Sequence, residues 1–320
     1  MTGLTPAGDP TGPRLDPRRI GAALTGRVSG ELMLVATVLL WGLGFSTSRY
    51  AVTHGFAPLQ YSAPRFVLGG LIMVGIVVIR DRRFTFERSD LRYFVPAALI
   101  GIVLNQITFN YSVSFATAAT VSLVFGTLPI FGGVVAAAVG FERLGLRHWF
   151  AAVVSFGGVA LVALGSAGEL SGQVVGIVLA LGAALTFAVF SVSLMPLMRR
   201  HSTYHVSAVV TVAGTIPLVI VALPQLVSSD WGDIGPLAWG AFAYQTIMFV
   251  TTTYLWLLAV KRVGAAHATL WANLQPFVGA VIAVSILSES LDVVQILGAI
   301  ALGSAIGLAR WRRPLARIAG

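Results

Sequence analysis

Ten apolar runs recur along this chain, each close to the about 20 residues that let a helix cross roughly 30 Å of hydrocarbon at about 1.5 Å per residue. They fall near residues 32–50, 59–79, 93–113, 118–141, 149–167, 174–197, 204–226, 237–257, 265–287 and 293–308, numbered here spans 1 to 10. With 57% hydrophobic and 10% charged residues the chain has too little polar surface to cover itself in water, which places it in the membrane class. The runs are long and unbroken and lack the two-residue alternation of barrel strands, so the pattern predicts an all-α integral membrane protein. Residues 1–29, rich in Pro, Gly and Arg, predict a disordered tail rather than a cleaved signal. The absence of cysteine excludes disulfides, thiolate metal sites and cysteine nucleophiles, and nothing in the sequence calls for a metal or other cofactor.

The net charge of +9 is compatible with nucleic-acid binding by magnitude but not by placement. With the N-terminus in the cytoplasm and ten alternating spans, all but two of the 21 Lys and Arg face one side, the exceptions being Arg49 and Arg65. Acids such as Glu169, Asp230 and Asp233 fall on the other. This positive-inside pattern predicts an inner, or plasma, membrane protein with both termini cytoplasmic and membrane lipids rather than nucleic acid as its surroundings.

The segments "FGTLPIFGGVVAAAVGFERL" (125–144) and "ANLQPFVGAVIAVSILSESL" (272–291) share one design. A shift of 147 residues superposes Pro129 on Pro276, Gly132 on Gly279, Ala136 on Ala283 and Glu142 on Glu289. Gly30 to Trp41 and Gly176 to Phe187 repeat at nearly the same interval. The chain therefore reads as two copies of five spans, residues 30–168 and 169–310, followed by a basic cytoplasmic tail at 311–320. Five is odd, so the copies are expected to be inverted. The loop charges agree: Arg143 and Arg147 become Ser290 and Val294, whereas Ser114 and Phe115 become Lys261 and Arg262. Inverted repeats about an in-plane axis are the geometry of alternating access.

Pro129 and Pro276 each lie near the middle of a span, where a lost backbone donor leaves acceptors needing a polar partner or a water-filled cavity. Polar and aromatic residues gather at the same depth. Span 9 offers His267, Trp271, Asn273 and Gln275, span 3 Asn105, Gln106, Asn110 and Tyr111, span 8 Tyr244, Gln245, Thr252 and Trp256, and span 1 Trp41. Singly, each reads equally well as an interhelical hydrogen bond worth about 0.6 kcal/mol; together they predict a polar cavity with aromatic walls. Arg65, about six residues into span 2, either snorkels to headgroups or attracts an anionic substrate group. Glu142 and Glu289, just past spans 4 and 9, read as end anchors, gate contacts or helix caps. No carboxylate sits at mid-span, so proton coupling has no support in the sequence.

"LLWGLGFSTSRYAV" in span 1, Arg65 and Phe66, "ATAATVSLVFGTLP" leading to Glu142, "FGGVALV" at 156–162, and "GAAHATLWANLQP" leading to Glu289 together resemble an EamA-type member of the drug/metabolite transporter superfamily over about residues 30–310. The resemblance implies a ten-helix bundle, a central cavity lined by both halves, and secondary transport of a small-molecule metabolite or drug, often outward. The second copy departs from the common pattern where Phe187 stands in place of the tryptophan at Trp41. A lipid flippase and a non-transporting scaffold are the alternatives. An intramembrane enzyme has no motif to rest on, since neither HExxH nor GxSxG occurs. Substrate identity and oligomeric state do not follow from the sequence.

Overall fold

A computed structural model describes residues 17–80, 87–141, 143–166 and 170–310. Among the described residues every regular element is a helix. Nine are long and apolar enough to cross a membrane: Val28–Thr53, Pro58–Ile79, Arg88–Phe115, Ala118–Ala138, Leu146–Leu164, Gly172–Met198, Tyr204–Ser228, Pro236–Val263 and His267–Leu287. A shorter apolar helix, Val293–Ala309, is the tenth. The chain is an all-α, multi-pass membrane protein.

The first helix departs from expectation. It begins at Pro17 rather than near residue 30, so residues 17–29 are helical and not a disordered tail. Pro is suited to the first turn of a helix, and the Arg, Ala and Leu residues that follow are good helix formers, enough to carry the span back beyond its apolar stretch. Residues 1–16 and 311–320, expected to be tails, lie outside the described residues, as does Glu142.

Helix pairing follows the repeat. Span 2 packs on span 7, span 4 on span 9 and span 5 on span 10, each with its own counterpart. Span 1 packs on spans 8 and 9, and its counterpart, span 6, packs on spans 3 and 4. Exchanging the two halves therefore maps this set of contacts onto itself. Small residues at matched positions make the approach possible, as packing between helices in lipid requires. A Cβ on Gly30 would lie 2.7 Å from Val263, and one on Gly176 would lie 2.6 Å from Ala116, the position equivalent to Val263. Spans 5 and 10 cross backbone to backbone: a Cβ on Gly158 would meet the Gly298 carbonyl at 2.9 Å, and one on Gly298 the Gly158 carbonyl at 2.6 Å.

The prolines do not merely kink their spans. Span 4 is built as Ala118–Val124, a tight turn at Phe125–Thr127 and a second segment, Leu128–Ala138. Span 9 likewise stops at Ala272 and resumes at Gln275. Pro129 and Pro276 sit in the first turn of the second segments, where a missing N–H costs nothing. The Pro276 carbonyl accepts the Ser122 hydroxyl at 2.5 Å, tying one broken span to the other. Glu289 closes the same pairing at the helix end: its two carboxylate oxygens accept the N–H groups of Ala118 and Ala119 at 2.9 and 2.8 Å. The glutamate past span 9 is thus a cap on span 4, where its charge also meets the positive end of the helix dipole.

Two substitutions test this framework by thermal unfolding of the purified chain in detergent. Gly158→Val forces the two backbones apart and is expected to destabilise by about 1–3 kcal/mol. Glu289→Ala orphans two amides and is expected to cost a similar about 1–3 kcal/mol, with Glu289→Gln retaining part of it. An unchanged midpoint for either variant contradicts the contact it removes.

Candidate functional site

Spans 1, 2, 3, 4, 6, 8 and 9 enclose a cavity of about 200 Å³. Its wall is divided between polar side chains and apolar ones, with aromatic rings as the main apolar part. Trp41, Phe45, Phe66, Phe109, Phe125, Phe187 and Phe249 line it together with Gly44 and Met248. Phe45 meets Phe109 and Phe125 edge-on at centroid distances of 5.8 and 5.3 Å, and Phe66 lies 5.9 Å from Phe249, separations typical of attractive ring pairs. The polar part of the wall is Arg65, Asn105, Gln106, Gln245, Thr246, Thr252 and Gln275.

Local structure explains how these groups arrive there. Span 3 is widened by one π-helical stretch, Leu99–Leu104, directly before Asn105 and Gln106; such widening turns the residues that follow it and recurs at functional sites. Asn105 Nδ2 donates to the Ala183 carbonyl at 2.8 Å and to Thr186 Oγ1 at 3.1 Å, and Gln106 Nε2 donates to Asn105 Oδ1 at 3.3 Å. Gln245 Nε2 donates to the Gly44 carbonyl and to Ser48 Oγ at 2.7 and 2.8 Å. The bonds from Asn105 to span 6 and from Gln245 to span 1 join spans of different halves, so the polar wall is also part of the seam between them. The break in span 9 brings Gln275 to the cavity, and that in span 4 brings Phe125.

Two pairs of repeat-equivalent positions face the same space: Trp41 with Phe187, and Asn105 with Thr252. Arg65 has no such counterpart, because the shift places it on Val212. It is the one charged residue on the wall, 9% exposed. Buried within span 2 rather than extended toward headgroups, it donates from Nε to the Tyr61 carbonyl at 2.9 Å.

The remaining residues that the sequence pointed to are not on the wall, and most have spent their polar groups elsewhere. Asn110, 0% exposed, donates to the carbonyl and side chain of Gln106. Tyr111 Oη accepts from Gln225 at 2.7 Å, and Tyr244 Oη donates to the Leu40 carbonyl at 2.7 Å. Trp256 stands behind Trp41, ring centroids 5.3 Å apart. His267 Nε2 is 2.7 Å from one oxygen of Glu31, and Trp271 Nε1 donates to the other at 2.7 Å, a cluster between spans 1 and 9 near their cytoplasmic ends by the sequence orientation. Asn273 ends the first segment of span 9. Pro129 and Pro276 shape the breaks without lining the cavity.

Phe45, Phe109, Phe125 and Phe249 are what sequence reading missed, although helical spacing carries much of the signal. Phe45 lies one turn from Trp41, Phe109 one turn from Asn105 and Gln106, and Met248 and Phe249 one turn from both Gln245 and Thr252. Trp41, Asn105, Gln106, Gln245 and Thr252 each marked a face whose next turn adds to the wall.

A multi-helix membrane bundle with a cavity lined by both halves of the chain is an architecture that a membrane transporter requires. The model of the EamA-like transporter family matches residues 28–164 and again 174–311, and the chain belongs to that family, within the drug/metabolite transporter superfamily. It is 24% identical to the uncharacterized transporter YvbV of Bacillus subtilis over 87% of this chain and 90% of that one. Similarity extends to the uncharacterized inner membrane transporter YedA of Escherichia coli, 24% identical over 82% and 84% of the two chains. A probable terminal-alkyne amino-acid exporter of Streptantibioticus cattleyicolor is 25% identical over 89% and 94%. One crystal structure, 18% identical, has the same fold with a TM-score of 0.60 over 92% of this chain and all of that one.

Hydration of the cavity is directly measurable, because the chain has no native cysteine. Met248→Cys, on the wall, is expected to react with a small charged thiol reagent, and Val121→Cys, fully buried in the apolar core, to stay unlabelled at least about tenfold longer. Equal labelling rates contradict a water-accessible cavity.

Proposed function

We propose that this protein is a secondary transporter that carries a small molecule across the cell membrane by alternating access between two inverted five-span halves. The observation that carries the reading is the cavity wall itself: repeat-equivalent residues, Trp41 with Phe187 and Asn105 with Thr252, converge on one space at the seam. Two halves that exchange conformations around such a site present it first to one side and then to the other. The exchange symmetry of the helix contacts supports the two-fold relation. The distribution of Lys and Arg supports both the inversion and cytoplasmic termini. Outward transport draws its support from the exporter among the relatives.

The residues at the two ends of the bundle take the part of gates. On the expected outer side, Glu289 caps span 4 and Arg49 Nη1 donates to the Val113 and Ser114 carbonyls at 2.6 and 2.8 Å, closing the end of span 3 against span 1. On the expected inner side, Glu31 ties span 1 to span 9 through His267 and Trp271. A cavity of about 200 Å³ lies below the usual range of about 300–1,000 Å³ for drug-sized ligands, which favours a compact metabolite over a two-chain lipid.

Single cysteines at the two ends test the mechanism. Met33→Cys at one end and Val52→Cys at the other are expected to change accessibility in opposite directions when the conformational balance is shifted by substrate. Simultaneous full accessibility indicates a channel, and unchanging accessibility at both ends indicates a scaffold.

A further inference from the structure

Arg65 brings a charge to the cavity that no described residue answers. Its Nε is held by the Tyr61 carbonyl, and its Cζ lies 3.9 Å from the centroid of the Tyr61 ring. These contacts fix the side chain along span 2. They leave both terminal nitrogens without a hydrogen-bond acceptor among the described residues, and no described carboxylate is paired with it. A guanidinium so placed offers its planar fork to whatever fills the cavity, and that fork matches a carboxylate in two parallel hydrogen bonds. The cation–π contact with Tyr61 offsets only part of the cost of burying the charge, so an anion is the partner that would complete the site.

The other polar groups on the wall are already committed. The Gln245 amide nitrogen is taken by span 1, that of Asn105 by span 6, and the Thr246 and Thr252 hydroxyl protons by the Phe242 and Met248 carbonyls. Gln275 alone keeps a whole amide free among the described residues that line the cavity. The apolar part of the lining is aromatic rings with Met248 and Gly44, and the wall holds neither Asp nor Glu.

We infer that the substrate is a small carboxylate with an apolar or aromatic body, its carboxylate seated on the Arg65 fork and its body against Trp41, Phe66 and Phe249. The inference rests on the transporter reading and narrows it to net-anionic solutes. An ammonium group would meet the Arg65 charge with no acid on the wall to offset it, so a cation is disfavoured and a zwitterion is held less well than the corresponding simple acid.

The purified full-length chain, titrated in detergent with phenylacetate, phenylacetamide and phenethylammonium and followed by calorimetry, tests this with probes that differ mainly in charge at one end. Phenylacetate is expected to bind at least about tenfold more tightly than phenylacetamide, the scale of one charge-assisted hydrogen-bonded contact, with phenethylammonium weakest. Arg65→Gln is expected to bring the phenylacetate-to-phenylacetamide ratio to about one, and Arg65→Lys to restore part of it. Equal binding of the three by the wild type, tighter binding of the cation, or binding of none overturns the inference, and none of these needs the variant to fold. Each of those results leaves the transporter reading to its own test, since cysteine accessibility at the two ends reports on alternating access whatever the substrate's charge.

Discussion

Backbone polar groups cannot be left open inside hydrocarbon, and much of this structure answers that one demand. Ten helices satisfy most of their own groups, yet the protein breaks two of them at mid-depth. Backbone groups at the breaks and at helix ends are met from other spans. Ser122 serves the Pro276 carbonyl beside the break in span 9, Glu289 the amides that open span 4, and Arg49 the carbonyls that close span 3. Gln225 accepts the Leu59 amide at 2.7 Å where span 2 begins. Polar side chains in this chain are first of all the means by which interrupted helices remain tolerable in lipid.

The cavity follows from those interruptions. Where spans 4 and 9 are broken, the side chains flanking the breaks, Phe125 and Gln275, line the cavity. The widened turn in span 3 adds Asn105 and Gln106. The seam is held by bonds such as Gln245 to Gly44 and Asn105 to Ala183. Such bonds are individually worth about 0.6 kcal/mol in membranes, so the seam is held by several weak contacts rather than one strong one. The tight glycine crossing of spans 5 and 10 lies away from this wall, which none of their residues line.

Much of the fold was legible in the sequence. Length and apolarity of the runs mark the spans because the bilayer imposes one length scale, and proline and glycine at a constant interval mark the duplication. The site was legible in part. Trp41, Arg65, Asn105, Gln106, Gln245, Thr252 and Gln275 were singled out and do line the cavity, without that geometry deciding what they bind. Asn110, Tyr111, Tyr244 and Trp271 looked equivalent to them and are instead spent on partners distant in sequence or on the neighbouring turn. A polar residue in an apolar span signals that it has a partner, and sequence does not tell whether that partner is a helix or a solute.

What the sequence determined by itself is the class and the pattern: an all-helical membrane bundle whose apolar runs and proline-to-glutamate segment recur along the chain. These follow from one-dimensional quantities, run length and interval, that need no knowledge of which spans touch. What only the tertiary structure decided is which face of each span looks inward. That choice depends on helix packing across sequence separations as long as Gly30 to Val263. It placed phenylalanines that the sequence reading had not singled out on a cavity wall, turned Glu289 into a cap for the other half, and left Arg65 facing the cavity with a charge unmatched by any described residue.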